Sequence, residues 1–267
     1  MDINQVITGE LGVKRWQVDA AVKLIDEGNT IPFIARYRKE VTGTLDDAQL
    51  RTLHERLMYL RNLEEKKEQV LASIEEQGKL TEELKKQILA AETMVVVEDL
   101  YRPYRPKRRT RAMIAKEKGL EPLAALITLQ KAEKPIEVYA EEYVNPEKEV
   151  KSVKEAIDGA KDIIAESVSD EADYRSWIRK ATVQHGKVIS QAKDEKAESV
   201  YEMYYDFEEP VTKLAGHRVL ALNRGEKEKF LTVKIEAPQD DILRYLEKKM
   251  IHSDNPVSYT HLTLPTT

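Results

Sequence analysis

The chain has 267 residues, of which 34% are charged and 41% apolar, with a formal net charge of −5 and no cysteine. That length suffices for one large domain or two ordinary ones, and the absence of cysteine excludes disulfides, thiolate metal sites and a cysteine nucleophile and suits a reducing cytoplasm. The net acidity excludes a chain that coats nucleic acid over its whole surface, so any such contact has to come from a local patch.

Glycine and proline are sparse, ten of each, and most stand where helices should end. Val13, Trp16, Val18, Ala21, Val22, Leu24 and Ile25 recur near helical spacing, and Gly28-Asn29 supplies a stop. Thr30-Ile31-Pro32 opens the next segment, with proline tolerated in a first turn. Thr44 with Asp47 reads as a capping box at the head of a long helix. Its apolar stripe runs Leu50, Leu53, Leu57, Leu60, Leu63, Leu71 and Ile74, and Gly78 closes it. At 1.5 Å per residue such a helix is ~50 Å long and is expected to brace more than one subdomain. Thr81, followed by Glu82 and Glu83, caps another helix through about Glu92.

Tyr101 to Arg111 has two prolines and no apolar periodicity, so it is read as a loop or extended connection. Helices resume near Pro122, near Pro135 and at Ser152, which pairs with Glu155 in a capping box. Further helices are expected around Glu171 to Val183 and Glu198 to Tyr205. Phe230 to Ile235 alternates like a strand, with Leu231, Val233 and Ile235 on one face, and Asp241 to Met250 returns to helix. The last stretch, Pro256 to Thr267, lacks any Lys, Arg, Asp or Glu. It looks like a translated library adapter and is set aside as non-native. No run approaches the ~20 apolar residues of a membrane helix, and the start, Met1-Asp2-Ile3-Asn4-Gln5, has no secretory pattern.

Catalytic and metal motifs are scarce. His54, His185, His217 and His252 do not pair at metal-ligand spacing. There is no phosphate-binding Gly-x-x-x-x-Gly-Lys-Ser/Thr loop, no Gly-x-Gly-x-x-Gly and no Gly-x-Ser-x-Gly. Asp206, Glu208 and Glu209 cluster before Pro210 and read as a solvated acidic face. The chain is therefore expected to be non-enzymatic, with no cofactor and no metal site.

The positive signal is Tyr101-Arg102-Pro103-Tyr104-Arg105-Pro106-Lys107-Arg108-Arg109-Thr110-Arg111, with six basic residues within ten positions. Guanidinium groups match phosphate bidentately, and Tyr101 and Tyr104 have the faces to stack on unpaired bases. The competing reading is structural: the cations pair with carboxylates such as Glu98 and Asp99, and the tyrosines pack on helices. Arg36, Arg38 and Lys39, beside Tyr37, form a second basic group after a short helix-turn unit. It reads as helix-turn-helix or as packing.

At these residues the sequence resembles the Tex family. The resemblance lies in Thr30-Ile31-Pro32-Phe33-Ile34-Ala35-Arg36-Tyr37-Arg38-Lys39-Glu40, in Glu98 through Arg111 and on to Ala124, and in Tyr205-Asp206-Phe207-Glu208-Glu209-Pro210 with His217 through Glu226. It implies a bacterial, cytoplasmic, multidomain protein of transcription that binds nucleic acid, RNA more than DNA. The RNase H-like, helix-hairpin-helix and RNA-binding OB-fold domains of the family would lie downstream. The expected architecture is mainly α: a helix-turn-helix-like domain over residues 1–75, with the long bracing helix, and a central helical region over 76–255 with a short β element near 230–235. The function implied is a non-enzymatic, nucleic-acid-binding transcription accessory protein. Tyr101, Arg102, Tyr104, Arg105, Lys107, Arg108, Arg109 and Arg111 would form its contact. The alternative is a scaffold that docks transcription or ribosome components, with the basic loop as an internal brace.

Overall fold

The computed structural model describes residues 1–131 and 134–252, and the uncharged tail from Pro256 lies outside them. Among the described residues there are thirteen α-helices and one three-stranded sheet, so the protein is mainly α, as its periodicity indicates. None of these helices is long and apolar enough to cross a membrane. The chain divides into two compact units, Met1–Tyr104 and the part from Arg105 onward.

The first unit contains α1 (Ile3–Leu11), α2 (Arg15–Asp26), α3 (Ile31–Tyr37), α4 (Asp47–Glu76), α5 (Glu82–Ala90) and α6 (Met94–Tyr101). Its spine is α4, whose 30 residues span about 45 Å. Leu50, Leu53, Leu57, Leu60, Leu63, Val70 and Ile74 are buried along one face of it. α1, α2, α3, α5 and α6 pack on α4, closing a core with Ile7, Val18, Ile34, Ile88 and Val97. Each fully buried leucine contributes about 2 kcal/mol by leaving water. The stripe also carries Lys67, buried as deeply as the leucines; its ammonium donates to the carbonyl of Leu89 at 3.0 Å and pairs with Glu64 at 2.9 Å.

The cap of α4 differs from the expected one. The box is Asp46 with Gln49: the Asp46 carboxylate accepts from the Gln49 amide N–H at 2.7 Å, and the Gln49 side chain accepts from the Asp46 N–H at 3.1 Å. Thr44 cannot cap because its φ of 65° places it in a left-handed turn after Gly43, whereas a capping residue needs extended backbone. Elsewhere the local signals hold. Gly28, at φ 84°, ends α2, Pro32 sits in the first turn of α3, and the Thr81 hydroxyl accepts from the Leu84 N–H at 3.2 Å.

The second unit contains α7 (Arg111–Glu117), α8 (Glu121–Leu129), α9 (Ile136–Ala140), α10 (Val153–Asp170), α11 (Ala172–His185), β1 (Lys187–Ala192), β2 (Asp206–Pro210), α12 (Gly216–Lys227), β3 (Leu231–Glu236) and α13 (Gln239–Met250). α7, α8 and α9 pack on α10 around Ala115, Leu120, Leu123, Ile127, Ala156 and Ala160. Ser152 caps α10, accepting from the Glu155 N–H at 3.2 Å; the Glu155 carboxylate takes the Lys151 N–H at 2.8 Å instead of closing the box on Ser152.

The sheet has the order β2-β1-β3, antiparallel throughout, with Ile189 opposite Glu208 on one side and Lys234 on the other. β3 lies where the alternation puts it. Leu231 is fully buried against Val188, Tyr201, Tyr204 and Leu222, but Ile235 is 64% exposed because this small core covers only one end of the strand. The helix expected over Glu198 to Tyr205 is not formed; the segment is a turn ending in a single 3-10 turn at Glu202–Tyr204. Tyr201, Ser199 and Tyr205 pin this turn. Tyr201 donates to Glu228 at 2.9 Å, and the Tyr205 and Ser199 hydroxyls lie 2.9 Å apart.

Candidate nucleic-acid interface

The basic segment crosses from one unit to the other at Tyr104–Arg105, and each half is held by its own unit. On the first side, Tyr101 ends α6 partly buried against the helical core, its hydroxyl 3.0 Å from that of Ser73. The Lys66 ammonium sits 5.9 Å from its ring centroid. Tyr104 also packs partly buried on that core, and its carbonyl accepts from the Gln77 side-chain amide at 3.0 Å. Packing therefore leaves only part of each ring for a base. Arg102 is exposed.

On the second side, Arg105 and Arg108 are exposed, while Lys107 turns inward. Its ammonium forms an ion pair with Asp170 and lies 3.5 Å from Glu166. Arg109 reaches Glu117 at 2.7 Å, and Arg111, the first residue of α7, comes within 3.5 Å of Asp162. The Thr110 hydroxyl caps α7 by accepting from the Met113 N–H at 3.1 Å.

The partners of Lys107 and Arg111 belong to one pattern. Asp158, Asp162, Glu166 and Asp170 recur every fourth residue, so they share a face of α10. Like charges at that spacing repel unless cations lie among them. Glu98 and Asp99 are only the nearest carboxylates in sequence, and the partners of Lys107 and Arg111 lie on α10. The i+4 acidic stripe was the available signal and lies about sixty residues further on.

The arrangement separates the cations by role. Arg109 and Arg111 are more than two-thirds exposed, and ion pairs of that kind are worth about 0–1 kcal/mol, so a phosphate can displace their carboxylates. Lys107 is less than a quarter exposed between two shielded carboxylates and is a poor candidate for exchange.

Glu208 pairs with Lys187 at 2.5 Å across the β1–β2 register, and Glu209 accepts from Arg218 at 2.6 Å. These hydrogen bonds hold the Lys187 ammonium and the Arg218 guanidinium above their ordinary pKa ranges. Among the described residues no three His, Cys, Asp or Glu side chains gather closely enough to hold a metal ion. His185 lies 3.3 Å from Asp241. Around α3, Arg36, Arg38 and Lys39 are all exposed beside Phe33 and Tyr37.

These features define a class: a helical scaffold with one cation-rich segment where its two compact units join and a smaller basic group at one short helix. The family follows from comparison. Residues 1–75 match the model of the Tex-like protein N-terminal domain, and residues 130–258 match the Tex central region-like model. The chain belongs to the Tex family, whose amino-terminal and central parts it represents. It is 49% identical over 252 residues to a Bacillus subtilis relative named Uncharacterized protein YdcI, covering 93% of this chain and 35% of the relative. Identity is 44% over 246 residues to the Transcriptional accessory protein Tex of Neisseria gonorrhoeae, covering 90% and 32%. It is 30% over 257 residues to the human S1 RNA-binding domain-containing protein 1, covering 91% and 25%. The chain thus spans about a third of the length of its bacterial relatives.

Proposed function

We propose that this chain is the helical, non-enzymatic part of a cytoplasmic, nucleic-acid-binding transcription accessory protein, with RNA preferred over DNA. Arg102, Arg105, Arg108, Arg109 and Arg111 are its phosphate contacts. The observation that carries the reading is the exposure of these five guanidiniums on a segment anchored by Tyr101, Tyr104 and Lys107. Anchoring lowers the entropy lost on binding, and guanidinium offers phosphate two parallel donors. The names of two relatives, a transcriptional accessory protein and an S1 RNA-binding domain-containing protein, support the same reading.

The test is a salt titration of the chain with fluorescent single-stranded RNA and DNA, beside a variant with the five arginines changed to Gln and Lys107 kept. Five phosphate contacts on a single strand give a log–log salt slope of roughly −3.5, which the variant should largely lose. Undiminished binding by the variant would sink the assignment of these residues.

A second reading has its own observation, the inward ion pairs of Lys107 with Asp170 and Glu166. In that reading the segment is an internal brace and the helices dock protein components of transcription or translation. It predicts a variant that loses stability and a parent that binds no oligonucleotide at low salt.

A further inference from the structure

α3 is held by its inner face and leaves an unusual outer one. Ile34 is fully buried, with Ile31 and Ala35 packed partly beneath it, while α2 and α4 cover that side. The opposite side presents Phe33 and Tyr37, 36% and 57% exposed, with Arg36 between them in sequence. The two rings, one turn apart, have centroids 5.4 Å apart and are tilted by 47°. The Arg38 guanidinium lies 5.3 Å over the Phe33 ring. Arg36 and Lys39 are exposed and form no ion pair among the described residues. Glu40 is the only carboxylate between residues 30 and 45, so Arg36, Arg38, Lys39 and Glu40 carry a net charge of +2.

The backbone that carries these cations is fixed. Thr42 is fully buried, and its hydroxyl donates to the Arg38 carbonyl at 3.2 Å. The Gln17 side chain donates to the carbonyls of Thr42 at 3.2 Å and Gly43 at 2.8 Å. Gly43 lies so close under Trp16 that a Cβ there would come within 2.3 Å of the indole.

We infer that the outer face of α3 is a second binding site, for single-stranded nucleic acid, in which Tyr37 and Phe33 stack on bases and Arg36, Arg38 and Lys39 hold the adjoining phosphates. Aromatic faces accept any unpaired base, and cations beside them complement the backbone between successive bases. Half-exposed aromatic rings beside exposed cations gain little more in folding, whereas ring, guanidinium and ammonium all gain against this ligand. A duplex offers no free base faces to these rings. The site shares no residue with the basic segment, so each can fail without the other.

The experiment is a binding titration of the intact chain at low salt with fluorescein-labelled 12-nucleotide oligouridylate and oligothymidylate, and with a blunt-ended RNA duplex whose bases are all paired. The chain should bind the single strands. Tyr37→Ala should weaken that binding roughly 5- to 100-fold, Phe33→Ala by less because Arg38 already covers one of its faces, and Tyr37→Phe should change it little. Arg36→Gln with Lys39→Gln should make the single-strand salt slope shallower by roughly 1.4. Tyr37→Phe and the Arg36→Gln/Lys39→Gln variant should melt with the parent, and Phe33→Ala, whose ring is only 36% exposed, is titrated well below its own melting temperature. The site is overturned by a parent that binds no single strand, or by single-strand affinity that is unchanged in the Phe33→Ala/Tyr37→Ala double variant. It is also overturned by an equal loss on the duplex. Unchanged affinity would leave the face to a protein partner. Loss in the five-arginine variant alone would confine binding to the basic segment.

Discussion

Replacing Lys107 by Met removes the ammonium from between Glu166 and Asp170 while keeping most of its aliphatic volume. At 3.5 Å, with an effective dielectric of about 20, attraction to Glu166 alone is about 5 kcal/mol gross. Most of that is offset by the water the three groups give up, since their side chains are only 24%, 21% and 12% exposed. What remains to be lost is about 2 kcal/mol, including the repulsion between two carboxylates left one turn apart. For a unit of this size that corresponds to a fall in Tm of roughly 4–8 °C. Urea unfolding can be read on Trp177, which stacks on Tyr245 at 3.9 Å in the second unit, in a Trp16→Phe background. The decisive form is a double-mutant cycle of Lys107→Met with Asp170→Asn, for which a coupling of about 1–2 kcal/mol is expected. Strict additivity, within about 0.4 kcal/mol, would refute the reasoning. Lys107 would then be as free for phosphate as its arginine neighbours.

Two further outcomes follow from the first unit. Gly43→Ala should cost about 2 kcal/mol, because a residue with a Cβ resists the φ of 61° and the added methyl must push the half-exposed Trp16 aside. A blue- or red-shifted Trp16 emission should accompany the loss, and an unaltered spectrum with unaltered stability would show that Trp16 does not pack there. Arg56 grips Glu10 with two bonds of 2.6 Å and Arg61 grips Asp26 at 2.7 and 2.8 Å, and each guanidinium holds its carboxyl below the ordinary range. A depressed folded pKa means stability that is fully present above the unfolded values, ~4.3 for Glu and ~3.9 for Asp, and lost as pH falls through the folded ones. Since both pairs are about a third or more exposed, the combined term is about 1 kcal/mol. Arg56→Gln with Arg61→Gln should therefore flatten the fall in stability between about pH 5 and pH 3, and an unchanged acid limb would discount both pairs.

The helical character of the molecule was legible because a helix writes its buried face into residues three and four apart. The leucine stripe of α4, the stop at Gly28, the caps at Thr81 and Ser152 and the alternation of β3 are all local. Local signals mislead where a competing local rule or a distant partner decides. Thr44 has a capping side chain but sits in a left-handed turn, so Asp46 takes its role. Tyr201 and Tyr204 have helical spacing but are committed to the small core beneath β3. α1, α6, α7 and α12 are short or weakly striped and gave no signal that separated them from loop.

For the candidate interface, composition and order alone determined that cations and aromatics concentrate at residues 30–39 and 101–111 in an otherwise acidic chain. They could not determine which of those charges face water. That depended on a helix some sixty residues beyond the basic segment, whose carboxylates at every fourth position take in Lys107 and Arg111. On α3 it depended on the absence of any such partner for Arg36 and Lys39 among the described residues. Charge is a property of the residue and can be read one position at a time. Whether the charge is neutralised depends on Coulomb's law over a few ångströms, and only folding brings distant residues that close.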